Sequence, residues 1–357
     1  MGRAPNRVEM SKFPKLSGLA WRNLVAVGAV VVAIGLIAVK NLHASAADPL
    51  LNVSYDPTRE LYQSIDKQFA AKYEAETGAA VNIRQSHGGS SRQARAVISG
   101  EQPADVVTLG LYSDVDALRK RGLIAEGWAD RLPHHSQPYF STIVFVVRRN
   151  NPKEIRDWPD LIKPGVFVIT PDPRSSGNGK LSALAAWGAA IHLGASEDEA
   201  RAYLKALYQH VPVLDSGARG SANTFALENI GDVHLTWEDE ALREVADSKG
   251  DLEIVHPSVS IIAEPYVAWV DANVARHKTE ALARAYLEFL FTDEAQETIA
   301  KLGFRPINAA ILEKYSDRLP KLDLFPITLI ARDWDDANQK FFADNGVIDT
   351  VLPPATH

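Results

Sequence analysis

Apolar positions follow two periodicities along most of the chain, which predicts an alternation of strands and helices. From Leu61 to Tyr73 a large apolar side chain recurs every four residues, as on one face of a helix. The runs 142–147 (TIVFVV) and 166–169 (VFVI) are continuously apolar, as in strands buried on both faces. The same patterns predict strands at 51–54, 81–83, 106–109, 233–236, 253–255 and 266–270, and helices at 180–192, 197–209 and 281–291.

This alternation is typical of an α/β protein whose sheets are mostly parallel and flanked by helices. The chain has 357 residues, about twice the usual size of one domain, so two lobes are expected. No linker composition separates them, which predicts that the chain crosses between the lobes more than once through a hinge. We assign residues 48–140 and 261–357 to lobe one and residues 141–260 to lobe two.

The first 47 residues resemble an export signal rather than part of the fold. Five basic residues precede an apolar run at 24–39, and the small residues Ala44-Ser45-Ala46 follow it. A run of this length is slightly short for a membrane span, so cleavage is favoured over retention as an anchor. Either outcome exports the remainder, and the predicted location is the periplasm.

Composition and charge exclude several classes of function. Hydrophobic residues make up 46% and charged residues 23% of the chain, as in a folded soluble protein. The absence of cysteine excludes disulfide scaffolds, thiolate metal sites and cysteine nucleophiles. Of 38 basic and 45 acidic residues, six and one lie in the first 47, which leaves a net charge of −12 on the remainder. Nucleic-acid binding is therefore not expected.

Loops rich in Gly, Ser and Asn follow several predicted strands and begin predicted helices. They lie at 85–91, 170–179 and 215–221, and Asp56-Pro57 forms a comparable helix start after the first strand. Backbone N–H groups at such helix starts, assisted by the helix dipole, bind anions. Because ligands of open α/β sheets bind beyond the carboxyl ends of the strands, we expect these loops to converge on one anion site.

No complete catalytic constellation accompanies these loops. The sequence lacks the G-x-S-x-G elbow of hydrolases, and Gly177-Asn178-Gly179-Lys180 fails the phosphate-binding patterns it resembles. His134-His135 has no second cluster with metal-ligand spacing, and the acids at 238–240 are interpreted as a first helical turn. We predict that the protein is not an enzyme and that it binds neither a metal nor a cofactor.

Three further side chains border the predicted anion site. Trp237 ends a predicted strand, and its indole N–H can only donate a hydrogen bond. Core packing is an equally good interpretation of this residue. Arg174 and Arg219 border two of the loops, with solvated surface arginines as the simpler alternative.

The exported part resembles the periplasmic sulfate/thiosulfate-binding proteins of ABC importers. The resemblance covers residues 48–357 and rests on long ordered motifs. They are LLNVSYDPTRELY (50–62), IRQSHGGSSRQA (83–94), ADVVTLG (104–110), DLIKPGVFVITPDPRSSGNGK (160–180), VLDSGARGSANTF (213–225) and the Trp237-Glu238 turn. The fold it implies is a two-lobed α/β clamp that closes around a hinge.

The resemblance also implies that one sulfate is held by neutral donors. The implied donors are the backbone N–H groups of Asp56, Ser90, Gly177, Asn178 and Ala218, the Ser176 hydroxyl and the Trp237 indole. His87, Arg174 and Arg219 are assigned to a surrounding layer. Where the family usually reads Ser-Gly-Gly-Ala-Arg, this chain has Asn178 and Lys180 at the third and fifth positions.

We therefore predict a monomeric extracytoplasmic protein that captures sulfate or thiosulfate and delivers it to an ABC permease. Binding of another oxyanion, phosphate or molybdate, is the alternative, and a carboxylate from Asp56 or Asp215 in the cleft would favour phosphate. An exported serine hydrolase using Ser90 or Ser176 would need a histidine and an acid beside that serine. A tethered sensory receptor would retain the N-terminal segment as an anchor.

Overall fold

The computed structural model describes residues 49–352, and the predicted export signal lies outside them. The strands are β1 Leu50–Tyr55, β2 Ile83–Gly88, β3 Val106–Leu109, β4 Tyr139–Arg148, β5 Val168–Ile169, β6 Val233–Trp237, β7 Leu252–Val255, β8 Ser260–Ala263, β9 Tyr266–Trp269, β10 Arg305–Pro306 and β11 Leu324–Phe325. The helices are α1 Arg59–Thr77, α2 Ser90–Ser99, α3 Tyr112–Lys120, α4 Gly177–His192, α5 Glu197–Gln209, α6 Ala218–Ala226, α7 Glu238–Asp247, α8 Asp271–His277, α9 Glu280–Phe289, α10 Asp293–Lys301, α11 Ala309–Lys314, α12 Trp334–Ala337 and α13 Val347–Val351. Short helical turns lie at Asp56–Thr58, Trp128–Asp130, Pro133–Ser136, Trp158–Ile162, Ile327–Leu329 and Asn338–Phe342.

The first sheet has the strand order β2-β1-β3-β9. β1 pairs in parallel with β2 and β3, and β9 returns antiparallel to β3. Helices cover it on both faces, because apolar side chains such as Val53 and Val106 lie on opposite sides of the strands and enter separate cores. The carboxyl ends of β1 and β2 therefore lead together into the turn at Asp56 and the start of α2.

The second sheet has the order β11-β8-β4-β6-β5, and β7 and β10 also pair with β4. β4 is antiparallel to β6, β7, β8 and β10, so this sheet is mixed rather than mostly parallel as predicted. The continuous apolar run at 142–147 correctly indicates burial on both faces. Burial on both faces does not fix strand direction, which is why the prediction failed there.

Three stretches of chain join the two sheets. β4 begins beside β10, with Tyr139 packed on Phe304, and continues into the second sheet. The chain then returns between β8 in the second sheet and β9 in the first. After α11 it passes back to β11, which pairs with β8.

The lobe boundaries predicted from the sequence stay a prediction, and one segment within them differs in its packing. Residues 324–352, assigned to lobe one, place Phe325, Trp334, Phe341 and Val347 in the same core cluster as the second sheet. Phe325 and Phe341 pack against Gly188 and Trp187 of α4, and α13 packs against α5. Within the described residues, no helix is both long and apolar enough to cross a bilayer.

Candidate functional site

Three helices begin at the edge where the two sheets face each other. They are α2 at Ser90, α4 at Gly177 and α6 at Ala218, and the short turn at Asp56 lies beside them. The first-turn N–H groups of a helix have no partner within that helix. The predicted loop at 85–91 is shorter in the structure, because β2 extends to Gly88 and only Gly89 separates it from α2.

Gly89 shows how closely these helix starts meet. A methyl group on this residue would lie 2.7 Å from the carbonyl oxygen of Ser175 and 3.2 Å from that of Ser216. Gly89 belongs to the first lobe, whereas Ser175 and Ser216 precede α4 and α6 in the second. Glycine is required here by the approach of the two backbones. The lobes are therefore closed upon each other at this edge.

Two further contacts across the lobes place the remaining helix starts together. A methyl group on Gly177 would lie 3.1 Å from Cβ of Ser90. One on Gly217, the residue before Ala218, would lie 2.5 Å from Oδ2 of Asp56. The structure thus brings together Asp56, Ser90, Gly177 and Ala218, and Asn178 follows within the first turn of α4.

Trp237, the last residue of β6, is the remaining predicted donor. The side chain is fully buried, and its ring centroid lies 5.3 Å from that of Tyr55. A methyl group on Gly110, at the end of β3, would lie 3.5 Å from the indole ring. The indole Nε1 has no hydrogen-bond partner within residues 49–352. A buried donor without an acceptor is costly, so this atom is suited to an acceptor supplied by a ligand.

Ser176 and Asn178 direct their side chains differently. The Ser176 Oγ accepts the Gly179 N–H at 3.4 Å as a helix cap, and its own hydrogen remains able to donate. The Asn178 Nδ2 donates to the Leu235 carbonyl at 3.4 Å, and its Oδ1 accepts from Ser182 at 3.2 Å. Asn178 can therefore offer its backbone N–H to a ligand while its side chain is engaged inside the second lobe.

Asp114 holds the Ser90 hydroxyl and was missed by the sequence analysis. Its Oδ2 accepts from Ser90 Oγ at 2.6 Å, and its Oδ1 accepts from Ser91 Oγ at 2.9 Å. Ser90 Oγ in turn accepts the Gly110 N–H at 3.0 Å. The Lys180 Nζ of the second lobe lies 3.8 Å from Asp114 Oδ1. Lys180 thus forms an ion pair across the lobes, with a single nitrogen in place of an arginine fork.

Three arginines near this edge are engaged with carboxylates. Arg174 pairs with Asp172 at 2.9 Å. Arg219 bridges Glu60 of the first lobe at 3.2 Å and Glu240 of the second at 3.1 Å. Arg59 pairs with Asp56 at 3.0 Å. The donors that meet between the lobes are therefore neutral, and the charges beside them cancel locally.

His87 lies behind the Asp56 backbone. Its Nδ1 is 3.3 Å from the Tyr55 carbonyl oxygen, which can only accept, so Nδ1 donates. That carbonyl belongs to the same peptide group as the Asp56 N–H, so the bond polarises this N–H. Burial of the imidazole lowers the pKa of His87, which favours the neutral ring.

The acids that follow Trp237 form the first turn of α7, as the sequence indicated, and they also make buried contacts that the sequence did not indicate. Glu238 is fully buried and forms two bonds to Arg305, at 2.6 and 2.8 Å. Asp239 accepts from Ser141 at the start of β4, and burial raises its pKa well above the usual range. These bonds connect the end of β6 to β10 through Arg305 and to β4 through Ser141, which no local spacing could have indicated.

The hydrolase alternative finds no support in this arrangement. Within residues 49–352, neither Ser90 nor Ser176 is hydrogen-bonded to a histidine. The same residues contain no group of acids and histidines suited to a metal ion. The carboxylates considered for phosphate binding lie near the cleft, with Asp56 paired to Arg59 and one buried oxygen of Asp215 unpartnered.

Comparison with known proteins identifies the family. Residues 58–305 match the family model of bacterial extracellular solute-binding proteins. The chain belongs to this family. It is 53% identical to a sulfate-binding protein of Salmonella typhimurium over 85% of this chain and 92% of that protein. It is 45% identical to a thiosulfate-binding protein of Pseudomonas aeruginosa over 87% and 94% of the two chains.

A solved structure supports the same placement. The sulfate-binding protein of Mycobacterium tuberculosis superposes with a TM-score of 0.75 at 29% identity, covering 82% of this chain and 99% of that one. The predicted two-lobed α/β binding-protein fold is confirmed, with mixed sheets. The solute-binding family also confirms the prediction of a binding protein rather than an enzyme.

Proposed function

We propose that this solute-binding protein captures sulfate between its lobes, with thiosulfate as an alternative ligand, and delivers it to an ABC permease. The observation that carries the proposal is the fully buried Trp237 indole, whose N–H has no partner among the described residues and whose ring lies beside Gly110, the residue that donates its N–H to Ser90 Oγ at the start of α2. The proposed ligand contacts are the backbone N–H groups of Asp56, Ser90, Gly177, Asn178 and Ala218, the Ser176 hydroxyl and the Trp237 N–H.

A dianion placed among these groups needs a donor for each oxygen, because burial of an unsolvated charge is very costly. Helix starts supply several N–H groups at once, and their dipoles favour negative charge. No additional cation is needed, which suits a protein whose exported part carries a net charge of −12. Arg174 and Arg219 act from outside this layer, since each is already paired with a carboxylate.

A donor-only site selects sulfate over phosphate. Sulfate is fully ionised at neutral pH and only accepts hydrogen bonds, whereas phosphate retains a proton that needs an acceptor. That proton would face another N–H or O–H, which is a strong penalty in a buried site. Thiosulfate also lacks a proton at neutral pH, so the same argument does not exclude it.

The delivery step is supported by the relatives and by the export signal predicted at 1–47. Relatives more than 40% identical over most of the chain are named for binding sulfate or thiosulfate. We further propose a periplasmic location and a monomer, because opening and closing of two lobes requires only one chain. The partner would be the membrane permease of an importer.

Calorimetric titration of residues 48–357, whose described part belongs to one compact unit, tests the ligand. The protein is stripped by unfolding and refolding, then titrated at pH 7 with sulfate, thiosulfate, phosphate and molybdate. We expect one-to-one binding of sulfate and no heat from phosphate. Binding of phosphate without binding of sulfate would contradict the proposal. It would indicate that Asp56 or Asp215 accepts a hydrogen bond from the phosphate proton. If none of the four anions binds, the helix starts are ordinary helix caps and do not form an anion site.

A further inference from the structure

The last part of the described chain, residues 324–352, is firmly seated on the second lobe. Phe325 packs so closely against Gly188 of α4 that no side chain would fit there. The Trp187 and Phe341 rings lie 5.1 Å apart, edge to face. Lys340 pairs with Glu197 at the start of α5, at 2.6 Å. This segment therefore moves with the second lobe.

The same segment reaches the first lobe at α12. Asp335 Oδ1 lies 2.5 Å from Nζ of Lys120, the last residue of α3. Lys120 also lies 3.3 Å from Asp116, whose carboxylate is already held by Arg119 at 2.6 Å. Because Asp116 is already paired with Arg119, it does not fully neutralise Lys120, and Lys120 can also pair with Asp335. The pair joins two elements that belong to different lobes and are separated by 215 residues of chain.

A second contact of the segment acts through Lys180. The Lys180 Nζ lies 5.1 Å from the centre of the Phe342 ring, so the ammonium rests on an aromatic face. From there it faces Asp114, the carboxylate that holds the Ser90 hydroxyl. Asp114 and Lys120 are both on α3. The segment 324–352 therefore contacts α3 directly through Asp335 and only indirectly, by way of Lys180, at Asp114, which supports the proposed ligand contact at Ser90.

We propose that residues 324–352 are a closure element, in which Asp335 and Lys120 hold the lobes together around the bound anion and slow its release. The inference rests on the proposed function. Because the lobes meet at Gly89 and Ser175, a ligand between them can leave only when they separate. Separation must break the Asp335–Lys120 pair, so the pair opposes opening without touching the ligand.

The dissociation rate of sulfate from residues 48–357, followed by stopped-flow tryptophan fluorescence, tests the inference. D335N and K120M should each raise the rate about two- to fivefold, the range expected of a partly exposed ion pair. The double variant should be no faster than the faster single variant, because both changes remove one interaction. High salt should accelerate the wild type more than D335N.

The matched control is E197Q, which breaks the Lys340 pair of the same segment without involving the first lobe. It should leave the dissociation rate unchanged. A wild-type rate in D335N, or equal acceleration in E197Q, would overturn the inference. If the wild type binds no sulfate, the proposed function fails instead. The closure element is then judged by X-ray scattering of the ligand-free protein, where equal radii of gyration in D335N and E197Q would contradict it.

Discussion

Trp237 and Glu238 are consecutive buried residues, and they show two different ways of accommodating a buried negative charge. The Glu238 carboxylate accepts two short hydrogen bonds from the Arg305 guanidinium, so its counter-charge is part of the protein. Trp237 offers one neutral donor that has no partner among the described residues. A charge that never leaves the protein can be matched by a fixed counter-charge. A charged ligand that must be released is better held by neutral donors, since no buried cation is then stranded when it departs.

The buried Glu238–Arg305 pair gives the largest expected effect. R305M leaves an uncompensated buried carboxylate and should lower the free energy of unfolding by about 3–5 kcal/mol. Urea denaturation of the ligand-free protein measures this change. E238M combined with R305M should recover most of the loss, because both charges are then absent. A loss below about 1 kcal/mol in R305M would show that solvent reaches the pair.

The unpartnered indole gives the next largest effect. W237F keeps the aromatic packing but removes the donor, and should weaken sulfate binding by about 1–3 kcal/mol in calorimetry. Trp187 is the matched control, since its Nε1 is also buried and unpartnered among the described residues but its ring packs on Phe341 in the second lobe. W187F should leave the affinity unchanged. Equal affinity in W237F and the wild type would remove Trp237 from the ligand contacts.

Asp66 is an intermediate case, a carboxylate held by neutral donors alone. Its oxygens accept from Tyr286 Oη at 2.7 Å and from Gln85 Nε2 at 2.9 Å. Burial outweighs these bonds and raises the pKa of Asp66 from 3.8 to about 6. Its contribution to stability is therefore fully present below the unfolded-state pKa and is lost as the pH rises through about 6.

D66N removes this titration. The unfolding free energy of the wild type relative to D66N should fall by about 2–3 kcal/mol between pH 4 and pH 8. Gln85 Oε1 is buried without a partner among the described residues, so a rotated Gln85 amide could accept from the side-chain amide that D66N introduces and keep the variant folded. Denaturation curves at several pH values measure the difference. A difference that stays constant with pH would contradict the raised pKa.

Arg174 gives the smallest expected effect. Its side chain is 39% exposed, and its guanidinium is already paired with Asp172. R174Q should therefore change sulfate affinity by less than about twofold in calorimetry. A loss comparable to that of W237F would show that a cation, rather than neutral donors, carries the affinity.

The sequence predicts local features of the fold better than partnerships across it. Helix α5 has the predicted bounds, since Ser196 and Glu199 form a capping box that marks its start. β2 was misplaced at 81–83, because its polar residues IRQSHG resemble a loop although they form a strand. The direction of β4 and the packing of residues 324–352 on the second sheet depend on contacts between distant parts of the chain. The hydrophobic periodicity of the sequence does not indicate such contacts.

The same distinction applies to the candidate site. Gly/Ser loops after strands could be predicted to converge, because strand ends share one edge of a sheet. The bonds of Asp114 to Ser90 and of Glu238 to Arg305 join residues 24 and 67 positions apart, so neither could be inferred from spacing. Arg174 and Arg219 border the loops, but the sequence does not reveal that each of them is paired with a carboxylate.

The most direct test of the neutral-donor account is calorimetric titration of one preparation with sulfate and with phosphate from pH 5 to pH 8. Sulfate carries no proton over this range, and burial lowers the pKa of His87, which favours its uncharged form. The account predicts one-to-one sulfate binding of nearly constant affinity, with no phosphate binding at any pH. Phosphate binding at comparable affinity, or sulfate affinity that falls steeply as the pH rises, would contradict it.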